Sequence, residues 1–319
     1  MRHVTRMGLL AVALLGAQAD EARQATLEIS KDTTLDPKKT YGAIRITASN
    51  VTVDGQGAWI VGRAEGNPTS FLGVGIEASG VSKVTLRNLN VKGFSTALRA
   101  SDGTGWTVEG CDFSGNYHDP DFGWGGGERV GGVILTRMHR CTFRKNKAQR
   151  VWNGLDLWEC DENLIAENAF SHCSNVCLKL WRSCRNQVLK NDLSYGIRCN
   201  PGETHARDST CVLMEHASDG NRFVGNDITY GGDGIFLRSL NNVVSTGNHF
   251  EGNDTSYAHN NCVECWSPGN AFVRNKANHG SYGFWMGGSD RSVLLENEAA
   301  WNGDPEGKGA GRLVRSAAT

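Results

Sequence analysis

The chain has 319 residues, with 33 lysines and arginines against 34 aspartates and glutamates and a formal net charge of −1. That balance, with no polybasic stripe, excludes the electrostatic footprint of a nucleic-acid binder. Forty glycines against six prolines, with 39% hydrophobic residues, describe a chain that turns often and builds a core that is narrow and long.

The first residues carry the pattern of an export signal. Arg2, His3 and Arg6 precede the apolar run Gly8 to Ala17, and Ala17-Gln18-Ala19 offers a small-residue cleavage site. The run is too short to span a bilayer comfortably. The mature chain is expected to be secreted or periplasmic, with no membrane contact once residues 1–19 are removed. Residues 20–43 read as an N-terminal segment or cap, 44–300 as one body and 301–319 as a polar, glycine-rich tail. Ten cysteines follow the signal: Cys111, Cys141, Cys160, Cys173, Cys177, Cys184, Cys199, Cys211, Cys262 and Cys265. In an exported chain some can pair, but spacing does not give the connectivity. The favoured reading is of small buried apolar side chains.

The body is repetitive. CDFSGN (111–116), CTFRKN (141–146), NLIAEN (163–168), NQVLKN (186–191), NRFVGN (221–226), VVSTGN (243–248), NAFVRN (270–275) and SVLLEN (292–297) each close on Asn. Asn116, Asn146, Asn168, Asn191, Asn226, Asn248, Asn275 and Asn297 lie 30, 22, 23, 35, 22, 27 and 22 residues apart, a base period of about 22. A second short run precedes the later ones: GLDLW (154–158), CLKLW (177–181), CVLMEH (211–216), GIFLR (234–238), CVECW (262–266) and GFWMG (283–287). Their alternation and their aromatic and aliphatic content predict strands, and no apolar pattern of helical period and length separates them. Short strands at fixed period, without crossover helices, stack in parallel on the next turn with a rise of about 4.8 Å and right-handed connections. The expected fold is all-β, a single-stranded right-handed parallel β-helix of about ten coils. The closing Asn is expected at one corner, where Asn tolerates left-handed backbone and stacked amides hydrogen-bond along a ladder. A seven-bladed propeller fits poorly, because its repeats run to about 40–45 residues.

With IRITASNVTVDGQG (44–57) and VSKVTLRNLNVKG (81–93) as early turns, the stretch from Ile44 to Asn297 resembles the pectin-lyase-like right-handed β-helix superfamily. It is similar to the repeat-containing set that includes periplasmic copper-enzyme accessory proteins and mannuronan epimerases. The resemblance implies the fold, and one such fold hosts many chemistries. Mannuronan epimerases carry an Asp-Pro-His-Asp motif on this scaffold. The nearest string here is His118-Asp119-Pro120-Asp121, which keeps the Asp-Pro and moves the histidine. The paired-Asp and Gly-His-Gly patterns of polygalacturonases are absent, as are the Asp clusters and arginine pattern of pectate lyases.

Alternation sorts the second-run strands into two faces. Leu155, Leu157, Leu178, Leu180, Ile235 and Leu237 point inward. Asp156, Trp158, Lys179, Trp181, Phe236, Arg238, Glu264, Trp266 and Trp285 point outward. In CVLMEH either Met214 with His216, or Leu213 with Glu215, faces out. An outer face rich in tryptophan marks a binding site, and indole rings among charges suit sugar rings and their carboxylates. Three loops, Tyr117 to Gly131, Arg198 to Thr210 and Asn253 to Asn261, precede second-run strands and are expected to wall this face. They bring His118, Trp124, Arg129, His205, Arg207, Tyr257 and His259 to a place where sites are built.

The partner expected is a polysaccharide. A lyase or epimerase of an acidic polymer needs a cation to stabilise charge on the uronate carboxylate and a base for the adjacent proton. Lys179, Arg238, Asp156, His118 and His216 are the candidates for chemistry. Trp158, Trp181, Trp266, Trp285, Glu264, Trp124, Arg129 and Arg207 are the candidates for binding. Asp156 and Lys179, one turn apart, are expected about 5 Å from each other. A hydrolase needs two carboxylates flanking the bond, and no pair is marked. No cofactor is expected; calcium at Asp233 or the loop aspartates lacks the spacing of a dedicated loop. The alternatives are a non-catalytic carbohydrate-binding or surface protein, and a periplasmic accessory protein in metal handling.

Overall fold

The structure is a computed structural model and describes residues 25–62, 71–119, 129–197 and 209–303. These residues form twenty-five short strands and no helix. Eleven strands, from Leu27–Ile29 to Tyr282–Trp285, stack in parallel as a first sheet, and eleven more, from Thr33–Thr34 to Val293–Leu295, as a second. A third, shorter sheet is continued along the solenoid by single parallel bridges from Asn90–Asp112 to Lys276–Glu298. Each strand pairs only with its counterparts one coil before and after, as in a β-helix. The solenoid begins before Ile44: Leu27–Ile29 already pairs with Ile44–Ile46, so residues 27–43 form the first coil and not a separate cap. The signal segment and residues 304–319 of the tail lie outside the described residues.

The core is one continuous column. Leu155, Leu178, Val212, Ile235 and Val263 line it from the first sheet, and Phe143, Ile165, Val188, Phe223, Phe250 and Phe272 from the second, all fully buried. Phe223, Phe250 and Phe272 stack at 4.9 Å, the coil-to-coil spacing. Nine described cysteines are free thiols and eight of them are buried. Burial pushes the thiols of Cys111, Cys160 and Cys262 up to about 12, as small apolar side chains in a dry interior require.

Register is held by buried asparagines. Asn146, Asn168, Asn191, Asn226, Asn253, Asn275 and Asn297 form one ladder, in which each amide nitrogen donates to the next coil's Oδ1 at 2.8–3.0 Å. A second ladder runs through Asn163, Asn186, Asn221, Asn248 and Asn270. The ladders correct two of the eight closing residues read from sequence. Asn248 belongs to the second ladder, and Asn253 closes its coil. Asn116 caps a different corner, donating to Val91 and Phe113 carbonyls, because the coil before Asn146 puts Cys111 at the ladder position. The left-handed residue is also not the Asn but the one before it: Lys145, Glu167, Lys190, Arg274 and Glu296 have φ between 52° and 57°.

A further ladder was not foreseen. His172, Tyr195, Tyr230, Tyr257, His279 and Trp301 all sit at φ of 52–62° on one corner and stack ring on ring at 4.5–5.1 Å. Bulky residues at positive φ carry strain of order 1–3 kcal/mol, and ring stacking of about 0.5–1.5 kcal/mol per pair offsets it.

If the ladder sets register, Asn191→Ala strands the backbone N–H and amide of Asn168 and the carbonyl of Ile165. It is expected to lower stability by about 2–4 kcal/mol, against under about 0.5 kcal/mol for the exposed control Gln187→Ala. Urea denaturation followed by circular dichroism measures both; equal midpoints would refute the role of the ladder.

Candidate functional site

The stacking that aligns the core also aligns what faces out. Asp156, Lys179, Leu213, Phe236, Glu264 and Trp285 fall in one row along the first sheet. Trp158, Trp181 and Glu215 fall in the next, which Arg238 and Trp266 continue. Met214 lies in the core, so Leu213 and Glu215 are the outward pair of CVLMEH. His216 follows the strand at φ 51°, and its ring lies flat on Trp181 at 3.7 Å. Trp181 stacks on Trp158 at 4.8 Å. Val176, Leu213 and Phe236 form a buried apolar cluster separate from the core.

Two buried carboxylates organise the centre of this face. Asp156 is fully buried. Its Oδ1 accepts from Arg129 Nε at 3.0 Å and Nη2 at 2.7 Å, and its Oδ2 from the Asn153 amide at 3.0 Å, which Asn175 holds in turn. Arg129 also donates to Thr136 Oγ1 and Leu135 O and lies over the Trp158 ring at 5.1 Å. Glu215, also fully buried, is shared by two cations: Lys179 Nζ at 3.3 Å and Arg238, whose Nε reaches Oε1 at 2.6 Å and whose Nη2 meets the same oxygen. The expected Asp156–Lys179 pair is therefore not formed. The two are register neighbours, but Arg129 reaches over from the preceding coil to Asp156, and Glu215 draws Lys179 toward the following one. Such pairing is what burial of a charge demands.

Open depressions flank this centre. One, of about 850 Å³, is lined by Arg45, Glu77, Arg99, Arg129, Ser101 and Thr136 among others. The other, of about 800 Å³, is lined by Asp233, Phe236, Arg238, Glu264, Trp266 and Trp285 among others. Trp266 and Trp285 are 36% and 46% exposed, a platform of the kind sugar rings stack on. Asn261 links the two acids there, donating its amide to Glu264 Oε2 at 2.6 Å and its backbone N–H to Asp233 Oδ1 at 3.0 Å.

His118 stands elsewhere. Its electrostatic neighbours are Asp119 and Arg150, and burial lowers its pKa, opposed by Asp119; it is not joined to the Lys179–Glu215–Arg238 cluster. Trp124, Arg207 and His205 lie outside the described residues. The third loop adds little length: Asn253 to Asn261 is nearly matched by Asn275 to Tyr282, and the extra residues of the 27-residue step follow Leu237, where Leu240 and Val243 make an antiparallel bridge. Tyr257 belongs to the outer aromatic ladder. Of the two registers of CVLMEH, the one with Glu215 outward is formed, and Asn153 and Arg99 join the same face from outside the alternating runs. Aligning the inward cysteines Cys177 and Cys211, which precede the paired Leu178 and Val212, would have placed Glu215 beside Trp181. Among the described residues, no three His, Cys, Asp or Glu side chains gather as metal ligands.

The chain is a stacked-coil solenoid with aromatic and charged side chains in rows along one sheet. The family model described as a right-handed beta helix region matches residues 40–202, just over half of the chain. The chain belongs to the right-handed β-helix family. No curated protein matches its sequence. Among solved structures it is similar to a mutant of the periplasmic alginate epimerase AlgG, at 12% identity and TM-score 0.55, covering 86% of this chain and 75% of that one. It is also similar to the Streptococcus pneumoniae surface protein and adhesin PfbA, at 8% identity and TM-score 0.54, covering 88% and 87%. At these identities the likeness is one of fold.

Removing the shared carboxylate leaves two part-buried cations facing each other. Glu215→Ala is expected to cost about 2–4 kcal/mol, and Glu215→Leu combined with Lys179→Met and Arg238→Met to recover most of it. Thermal denaturation of the set checks this; a silent single variant would contradict the pairing.

Proposed function

We propose that this protein is exported, binds an acidic polysaccharide along the outer face of its first sheet, and acts on it as a lyase or epimerase. The observation that carries the reading is the cluster of Lys179, Glu215, Arg238 and His216. Glu215 holds the two cations side by side while their side chains stay 22% and 23% exposed. There they would neutralise the uronate carboxylate as charge develops on it. His216 is the base in this reading. Burial lowers its pKa from the ordinary 6.5; Glu215 opposes the shift, and Arg182, Arg238 and Lys179 reinforce it. The ring is therefore neutral at pH 7 and can accept the proton on the carbon beside the carboxylate. In a lyase the electron pair of that C–H bond forms the new double bond as the glycosidic C–O bond breaks and the leaving oxygen is protonated. In an epimerase a proton returns from the opposite face. The exposed Trp266 and Trp285 platform would seat sugar faces, and the ring edges of the Trp158–Trp181–His216 stack would border the neighbouring sugars.

Non-catalytic carbohydrate binding is the second reading. It is favoured by one observation: Asp156, Lys179 and Arg238 are all engaged in ion pairs.

A panel of acidic and neutral polysaccharides, assayed for unsaturated products by ultraviolet absorbance, for reducing ends and for change of sugar configuration, separates the two. Turnover of a uronate polymer that falls by about 100-fold or more in His216→Gln and Lys179→Ala is expected. A silent panel with binding retained would sink the enzyme. Because the His216 pKa is lowered from 6.5, its base form already predominates at that pH and is lost as pH falls through the lowered value. The acid limb of kcat/KM should therefore lie below 6.5; a limb above it would assign the base to another group.

A further inference from the structure

We propose that the depression before the central cluster is a second anion subsite, centred on Arg99, which takes a carboxylate or sulfate group of the same polymer. The inference rests on the polysaccharide reading above and extends it to a polymer charged at more than one place. Arg99 lies in the outward row that continues through Ile134 and Asp156 to Lys179, three coils before Lys179 and about 14 Å from it along the axis.

What sets Arg99 apart is that, among the described residues, no carboxylate pairs with it. Arg129 and Arg238 on the same face are each committed to a fully buried carboxylate. Arg99 Nη2 makes only long contacts, to Thr96 Oγ1 at 3.3 Å and the Arg129 carbonyl at 3.4 Å, and no described carboxylate lies on its fork. The nearest acid in its row, Glu77, is turned to Arg45 at 3.8 Å. A half-buried guanidinium left with free donors, facing an open volume of about 850 Å³, is arranged for an anion from outside. The Ser79–Ser101 hydroxyl pair, at 2.9 Å, and Thr136 border the same depression and offer partners to sugar hydroxyls. The occupant must reach from here to Lys179, so it is an extended chain with anionic groups several sugars apart.

The test compares wild type with Arg99→Ala and Arg99→Lys by titration calorimetry, using a uronate disaccharide, a long oligomannuronate and dextran sulfate, at low and high salt. Loss of about five- to tenfold in affinity for the long oligouronate in Arg99→Ala is expected, with part retained in Arg99→Lys, no change for the disaccharide and a shallower salt dependence. The same pattern with dextran sulfate alone assigns the subsite to sulfate. Unchanged melting temperatures are expected, since among the described residues Arg99 has no ion pair to lose. Equal long-chain affinity in wild type and Arg99→Ala, or equal losses on the disaccharide and the long chain, would overturn the subsite and leave the groove reading standing. Failure of the wild type to bind any anionic polymer would overturn both.

Discussion

The structure depends on one interaction, the hydrogen bond from the side-chain amide of one buried asparagine to the side-chain oxygen of the next. An amide is donor and acceptor at once, so asparagines can chain indefinitely, each closing its own turn and naming its partner in the next coil. A buried aspartate could not donate, and a row of carboxylates 4.8 Å apart would repel. Because the ladder fixes one corner and the core columns fix the strands, extra residues are confined to other corners. The 35-residue step from Asn191 to Asn226 and the 27-residue step from Asn226 to Asn253 leave the amide bonds at 3.0 and 2.8 Å. Loop length is thus uncoupled from register, which lets one scaffold carry varied walls.

The same registry imposes an electrostatic order on the outer face. Equivalent positions recur every coil, so like charges in a buried row would repel strongly, although a more exposed corner stacks Asp192, Asp227 and Asp254. The row instead places Asp156 beside Lys179, and Glu215 receives cations from the coil before and the coil after. Burying Asp156 and Glu215 is costly unless each is paired; Arg129 and Asn153 bond Asp156, and Arg238 and Lys179 hold Glu215, whose Oε2 has the Lys179 ion pair alone. The buried acids hold part-exposed cations in fixed positions, so the groove shows the cationic side of each pair to a ligand.

The fold was legible because its signal is repeated. A 22-residue period, Asn at a fixed place and alternating strands agree with one another in coil after coil, so Asn116 and Asn248 could be assigned to the wrong corner without disturbing the architecture. The site was legible in part, since alternation alone put Asp156, Lys179, Trp158, Trp181 and Glu264 on the outer face. Partner choice was not, because it depends on which neighbouring coil a long side chain leans toward, and Lys179 leaning to Glu215 has no local signature. Arg129, chosen as a loop residue for binding, is committed to Asp156, a contact between positions 27 residues apart. The outer stack from His172 to Trp301 was hidden for a related reason. Its members differ in residue type, so composition does not mark them, although each lies four residues after a ladder asparagine, from Asn168 and His172 to Asn297 and Trp301.

The geometry also bears on what kind of ligand the face can use. The two depressions lie on either side of the Asp156–Glu215 centre along a single sheet. A small molecule can occupy one of them and gain nothing from the other. A linear polymer lying along the coil axis meets both and the cations between, and collects several weak contacts at the entropic cost of one association. The ends differ chemically: arginine and hydroxyls at the early coils, indoles and the Asn261-bridged acids at the later ones. The acids at the later coils disfavour anionic groups there, and the arginines at the early coils favour them. The two ends of the face therefore differ in charge as well as in shape, although one continuous sheet carries both.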